Sequence, residues 1–120
     1  MKKVLVIEDD RKIALALATR LKAAGYEASL AYDVLTGVNA AVKQRPDLVL
    51  LDISMPGGDG FTAARRIQTL VPSLTPLIFI TASKQAGLRE KADELGAAGF
   101  FEKPYDAEQL LAAVREVLGE

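Results

Sequence analysis

Glu8, Asp9 and Asp10 stand directly behind the apolar run at 4–7, Asp52 behind the run at 48–51, Thr81 and Ala82 behind the run at 77–80, and Lys103-Pro104 behind residues 99–102. Carboxylates, a hydroxyl and an ammonium so placed share a chemistry only if the runs end at one edge. There the acids repel one another, which raises their pKa values and calls for positive charge. A hard divalent cation such as Mg²⁺ supplies it, because it takes oxygen ligands and keeps several waters, and Lys103 adds a movable point charge. Each residue also has a plainer reading. Asp10 can cap a helix beginning near Arg11, Asp52 a turn and Thr81 the next helix, while Lys103 can be simply solvated. Those readings account for the residues singly and leave their common position unexplained. The chain has no histidine and no cysteine, which removes zinc fingers, thiol nucleophiles, haem ligation and a Ser-His-Asp triad and leaves oxygen-ligated metals.

The elements that must bring these residues together are legible in the hydrophobic pattern. The runs at 4–7, 48–51 and 77–80 are too short for helices and too uniformly apolar for strands with one wet face, so they read as central parallel strands covered on both sides. Residues 27–32 and 99–102 are weaker candidates, suited to the edges. Ile13, Leu17 and Leu21, with Ala14 and Ala18 beside them, form a helical stripe that stops near Gly25. A second helix is expected over 34–44, ended by Arg45-Pro46, and a third over 60–70. Leu88, Ala92 and Leu95 make the next stripe, closed by Gly96. The last helix follows Asp106, an N-cap with Gln109 three residues on, and buries Leu110, Val114 and Leu118. Five alternations of strand and helix predict a doubly wound α/β fold with helices on both faces of a parallel sheet. Ligands of such folds bind outside the carboxyl ends of the strands, where the strand order reverses.

Composition narrows the function further. At 120 residues one domain, spanning 1–120, is expected, and a chain of this size buries roughly two-thirds of its unfolded surface. With 15 Lys and Arg against 16 Asp and Glu the net charge is -1, which lacks the basic footprint of a nucleic-acid binder. Met1-Lys2-Lys3 resembles the start of a signal peptide, but the apolar run behind it ends at Glu8. No stretch approaches the roughly 18 apolar residues of a membrane span. A soluble cytoplasmic protein without linker or repeat is expected, and Met1 favours an N-terminal or free-standing unit over an internal one.

Val4-Leu5-Val6-Ile7-Glu8-Asp9-Asp10, Asp52 with Met55-Pro56-Gly57 and Asp59-Gly60, Thr81-Ala82, and Phe101-Glu102-Lys103-Pro104 occur in one order and spacing across nearly the whole chain. In these elements the chain resembles a receiver domain of the bacterial response regulators, the phosphoacceptor half of two-component signalling. The resemblance implies a flavodoxin-like (βα)5 fold with strand order 2-1-3-4-5. It also implies that Asp52 attacks the phosphoryl group of a phosphohistidine and becomes an aspartyl phosphate. Mg²⁺ would be held by Asp9, Asp52 and the backbone carbonyl of Ser54, with Glu8 acting through water. Lys103 would pair with Asp52 before reaction and with a phosphoryl oxygen after it, and the Lys103-Pro104 bond is expected to be cis. The Thr81 hydroxyl and the Ala82 backbone N–H would take the other phosphoryl oxygens. Phosphorylation and dephosphorylation would be self-catalysed signalling steps, without turnover of an outside substrate.

By the same resemblance, Thr81 turning to the phosphoryl group frees space for Phe100, and the output face is the fourth helix, fifth strand and fifth helix, residues 84–120. Phe100 has the plainer reading of a core aromatic. Ser54 and Ser83, two residues beyond Asp52 and Thr81, flank the path of an attacking water, and their small size favours a short phosphoryl lifetime. The expected partners are a sensor histidine kinase or histidine phosphotransfer protein and a downstream effector domain or protein, with phosphorylation-dependent dimerisation and no membrane or direct nucleic-acid contact. Gly57, Gly58 and Gly60 read as turn-formers, with no Gly-Lys-Ser/Thr pattern that would cradle phosphate. Gly58 departs from the family, which often has a larger residue there. Two rival functions are weaker. An Mg²⁺-dependent aspartyl phosphatase usually has a second Asp two residues after the nucleophile, where this chain has Ser54. A receiver-like binding module that had lost phosphorylation would lack some of Glu8, Asp9, Asp52, Thr81 and Lys103, all present here. With no histidine of its own, the chain must take its phosphoryl group from another protein or domain.

Overall fold

The uniformly apolar runs become the middle of the sheet. In the computed structural model, which describes residues 1–55, 60–71 and 74–119, the elements in chain order are β1 (Lys3–Ile7), α1 (Arg11–Ala23), β2 (Glu27–Ala31), α2 (Val34–Gln44), β3 (Leu48–Asp52), α3 (Gly60–Leu70), β4 (Leu77–Thr81), α4 (Leu88–Glu94), β5 (Gly99–Glu102) and α5 (Ala107–Leu118). The strands are all parallel, in the order β2-β1-β3-β4-β5. β3 and β4 are buried along their whole length, as strands covered by helices on both faces must be. β2 and β5 are the half-exposed edges, which is why their sequence signal is weaker. β2 stops at Ala31, one residue short of the expected 27–32, where the Ala31 carbonyl accepts the Glu8 N–H at 3.0 Å.

Side chains alternate across the sheet and build two cores. Leu5, Ile7, Val49, Leu51, Leu77 and Phe79 pack with α2, α3 and α4. Val4, Val6, Leu48, Leu50, Ile78 and Ile80 pack with α1 and α5. Leu110 and Val114 are buried as expected, but Leu111 is buried too while Leu118 is only partly covered. The inward stripe of α5 is thus wider than a strict four-residue spacing suggests, with Ala113 and Val117 also partly covered.

Local chemistry fixes the element ends. Asp10 caps α1 by accepting the Lys12 and Ile13 N–H groups at 3.0 and 3.1 Å, so the plainer reading of Asp10 is correct. Asp106 caps α5 through the Glu108 N–H at 2.8 Å, one residue short of the expected Gln109 pairing. Gly25, with φ +96°, ends the α1 turn. Gly60 serves close approach: a Cβ there would lie 2.6 Å from the Asp52 carbonyl oxygen and 2.7 Å from Ile53 Cα. The start of α3 therefore presses directly on the end of β3. The loop residues Pro56, Gly57, Gly58 and Asp59 lie outside the described residues. No helix among the described residues is long and apolar enough to cross a membrane.

Candidate functional site

Strand register brings the polar residues together. Ile7 lies opposite Leu51, Asp52 opposite Ile80, and Thr81 opposite Glu102, so Glu8, Asp52, Thr81 and Lys103 all emerge at the carboxyl edge of neighbouring strands. The Lys103 N–H donates to the Thr81 carbonyl at 2.7 Å, which continues the β4–β5 pairing up to the lysine. Glu8, Asp52 and Thr81 are 2%, 3% and 0% exposed. One oxygen from each of Glu8, Asp9 and Asp52 lies within 4.8 Å of the others, with Asp9 nearest solvent. Such a donor set, all oxygen and open at Asp9, fits a hard cation that keeps part of its water shell.

Lys103 reaches into this set from the far side. Its Nζ lies 2.6 Å from Glu8 Oε1 and 3.3 Å from Asp52 Oδ2. The lysine is not a solvated one, and its shorter contact is to Glu8, where the family resemblance implies pairing with Asp52. The Lys103-Pro104 peptide bond is cis, as expected. Glu8 Oε2 also accepts the Asp10 N–H at 3.1 Å. Burial, helped by the neighbouring Asp52, pushes the Glu8 carboxyl up to about 7 against the opposing pull of Lys103 and the Asp10 N–H. Burial by itself would lower the Lys103 ammonium, but its bond to Glu8 and the charges of Asp52 and Glu8 outweigh that and raise it above the ordinary lysine value. A carboxyl this reluctant to ionise marks a place where the ammonium does not offset burial and, after it, the neighbouring Asp52.

Asp52 has one oxygen toward Lys103, while the other, Oδ1, accepts the Ser54 N–H at 2.9 Å. The turn-capping reading of Asp52 is thus also true, and it leaves the second oxygen to the site. Thr81 does not cap α4, which begins behind Gly87 with φ +88°. Its hydroxyl accepts the Ser83 N–H at 3.0 Å and shares a hydrogen bond with the Ser54 hydroxyl at 2.9 Å. Ser54 and Ser83 line one side of an open depression of about 500 Å³ that runs past Met55 to Lys91. Ala82, next to Thr81, is exposed at the same edge.

Phe100 lies opposite Phe79, half-buried on the sheet face that also carries Thr81, and it packs on the core from the rim. The Arg89 guanidinium of α4 stacks 4.7 Å from its ring centroid. That stacking and the Ser54–Thr81 bond carry no sequence pattern. Only the β3–β4 register, which sets the two strand ends side by side, points to the second.

A family model for the response regulator receiver domain matches residues 4–115. A transcriptional activator protein, IrlR of Burkholderia pseudomallei (strain 1026b), is 37% identical over 116 residues, covering 97% of this chain and 50% of the relative. The DNA-binding dual master transcriptional regulator RpaA of Synechocystis is 34% identical over 119 residues, with 98% and 49% covered. The chain therefore spans about half the length of these curated relatives. Among solved structures, the non-phosphorylated HemR receiver domain from Leptospira biflexa superposes with a TM-score of 0.91 at 31% identity, covering 100% of this chain and 96% of that one.

Proposed function

The chain belongs to the response regulator receiver family, and from that membership we propose that Asp52 is its phosphoacceptor. The observation that carries the reading is the convergence of Glu8, Asp9 and Asp52 at one strand edge with Lys103 joined to two of them. An Asp52 carboxylate oxygen attacks the phosphorus of a phosphohistidine, an O–P bond forms, the P–N bond breaks, and the imidazole leaves with a proton. Such transfer needs positioning and charge neutralisation more than covalent help. Asp9, Asp52 and the Ser54 carbonyl would hold Mg²⁺, with Glu8 acting through water, and the ion when bound would offset phosphoryl charge. Lys103 turns from the carboxylates to one phosphoryl oxygen, while the Thr81 hydroxyl and the Ala82 N–H take others. Hydrolysis of the aspartyl phosphate by water returns the site to rest, with access set in part by the small residues Ser54 and Ser83.

The donor in this reading is a sensor histidine kinase or a histidine phosphotransfer protein in the cytoplasm. The added phosphoryl carries about -1.5 to -2 charge, and its capture of Thr81 shifts Phe100 and the α4, β5 and α5 face toward an effector domain or protein, or toward a second copy of the chain. The relatives' printed roles in transcription support an effector that acts on gene expression, while this unit itself makes no nucleic-acid contact. Incubation with acetyl phosphate and Mg²⁺, followed by intact-mass measurement, tests the assignment. Wild type is expected to gain one phosphoryl group and Asp52→Asn none.

A further inference from the structure

The Thr81 hydroxyl has one hydrogen to give and two lone pairs to offer. One lone pair takes the Ser83 N–H at 3.0 Å. Its remaining capacity faces the Ser54 hydroxyl at 2.9 Å. Ser54 is in turn tied to the acceptor carboxylate, since its N–H donates to Asp52 Oδ1 at 2.9 Å. Thr81 is fully buried, so its hydroxyl cannot exchange these partners for bulk water without moving. Ser54 is exposed, and its hydroxyl loses little on turning to solvent.

From this geometry we infer that the Ser54 hydroxyl is a positioning group that holds Thr81 in its present rotamer, and that Thr81 gives up this bond when it turns to a phosphoryl group on Asp52. The second half rests on the phosphoacceptor reading; the first does not. Whichever of the two hydroxyls donates, the Thr81 oxygen leaves its place 2.9 Å from Ser54 when it turns to a phosphoryl oxygen, so the two bonds compete. Ser83 holds Thr81 through a backbone N–H that almost any residue would supply. Ser54 holds it through a side chain, so the residue at position 54 sets how firmly Thr81 is kept. The role of Ser54 is then more than its small size.

Ser54→Ala keeps the small size and the backbone N–H and removes only the hydroxyl, while Ser54→Thr restores a hydroxyl. Three-bond scalar couplings of the Thr81 side chain, read without any phosphoryl donor, are expected to report one rotamer in wild type and a mixture in Ser54→Ala. The rotamer ratio should shift by roughly two- to tenfold, which is what one net hydrogen bond carries, and Ser54→Thr should bring it back. With acetyl phosphate and Mg²⁺, the steady phosphorylated fraction should rise in Ser54→Ala and return in Ser54→Thr. A single Thr81 rotamer in Ser54→Ala, or no recovery in Ser54→Thr, overturns the inference. Absence of any adduct on wild-type Asp52 overturns the phosphoacceptor reading instead, and the rotamer comparison still decides whether Ser54 holds Thr81.

Discussion

Ile7, Leu51 and Ile80 are 0%, 0% and 2% exposed, and the residues that follow them, Glu8, Asp52 and Thr81, are just as deeply buried. One step along three strands thus separates two layers with the same access to water and opposite chemistry. In the lower layer burial itself is the favourable term, about 25 cal/mol for each Å² of apolar surface removed from water. In the upper layer burial is a cost that partners must offset, and among the described residues no buried side-chain nitrogen or oxygen lacks one. The Glu8 carboxyl, pushed up to about 7 by burial first of all, registers what is left of that cost. On the proposed function, stability and phosphoryl chemistry would lie in adjacent layers and should respond separately to substitution.

Phe79→Ala in the lower layer should have the largest effect on stability. Phe79 is fully buried, with its ring 5.2 Å from that of Phe61. Its loss should cost about 3–5 kcal/mol in denaturant unfolding, while the molecules that remain folded still accept phosphoryl groups. Lys103→Met in the upper layer should show the opposite balance. It leaves Glu8 and Asp52 facing one another without the ammonium. Because Glu8 can take up a proton, the cost should stay below the roughly 3–5 kcal/mol of an uncompensated buried charge, and phosphoryl uptake from acetyl phosphate should fall at least tenfold. Little change in uptake would show that the lysine is only structural.

A third comparison uses pH. The Glu8 carboxyl stands above its ordinary value of 4.5, at about 7, so the folded chain holds a proton that the unfolded chain releases earlier. Its contribution to stability is full below about pH 4.5 and is lost as pH rises through about 7. With a chelator present, the urea midpoint should fall across that window in wild type and stay flatter in Glu8→Gln. The smallest effect belongs to Asp10, an acid adjacent in sequence but outside the polar layer. Asp10→Ala should lose about 1 kcal/mol of helix capping and leave phosphoryl uptake unchanged.

What could be read from the sequence divides along similar lines. The central strands, both edges and the helices over 34–44 and 60–70 followed from apolar runs and periods, because backbone pairing and burial repeat along the chain. The convergence of Glu8, Asp9, Asp52, Thr81 and Lys103 at one sheet edge followed from their places behind those runs. Hydrogen-bond choices among neighbours did not. Lys103 lies closer to Glu8 than to Asp52, Ser54 meets Thr81, and Arg89 stacks on Phe100, each contact depending on register and rotamer across separate elements. Gly60 looked like a turn residue, but the closeness of the Asp52 carbonyl arises only once α3 docks on β3.

The most direct measurement of the central claim is the intact mass of wild type and Asp52→Asn after acetyl phosphate and Mg²⁺, with unfolding curves taken on the same samples. Wild type should gain one phosphoryl adduct and Asp52→Asn none, and both should unfold cooperatively. An adduct retained by the folded Asp52→Asn protein, or none on folded wild type, would overturn Asp52 as the phosphoacceptor.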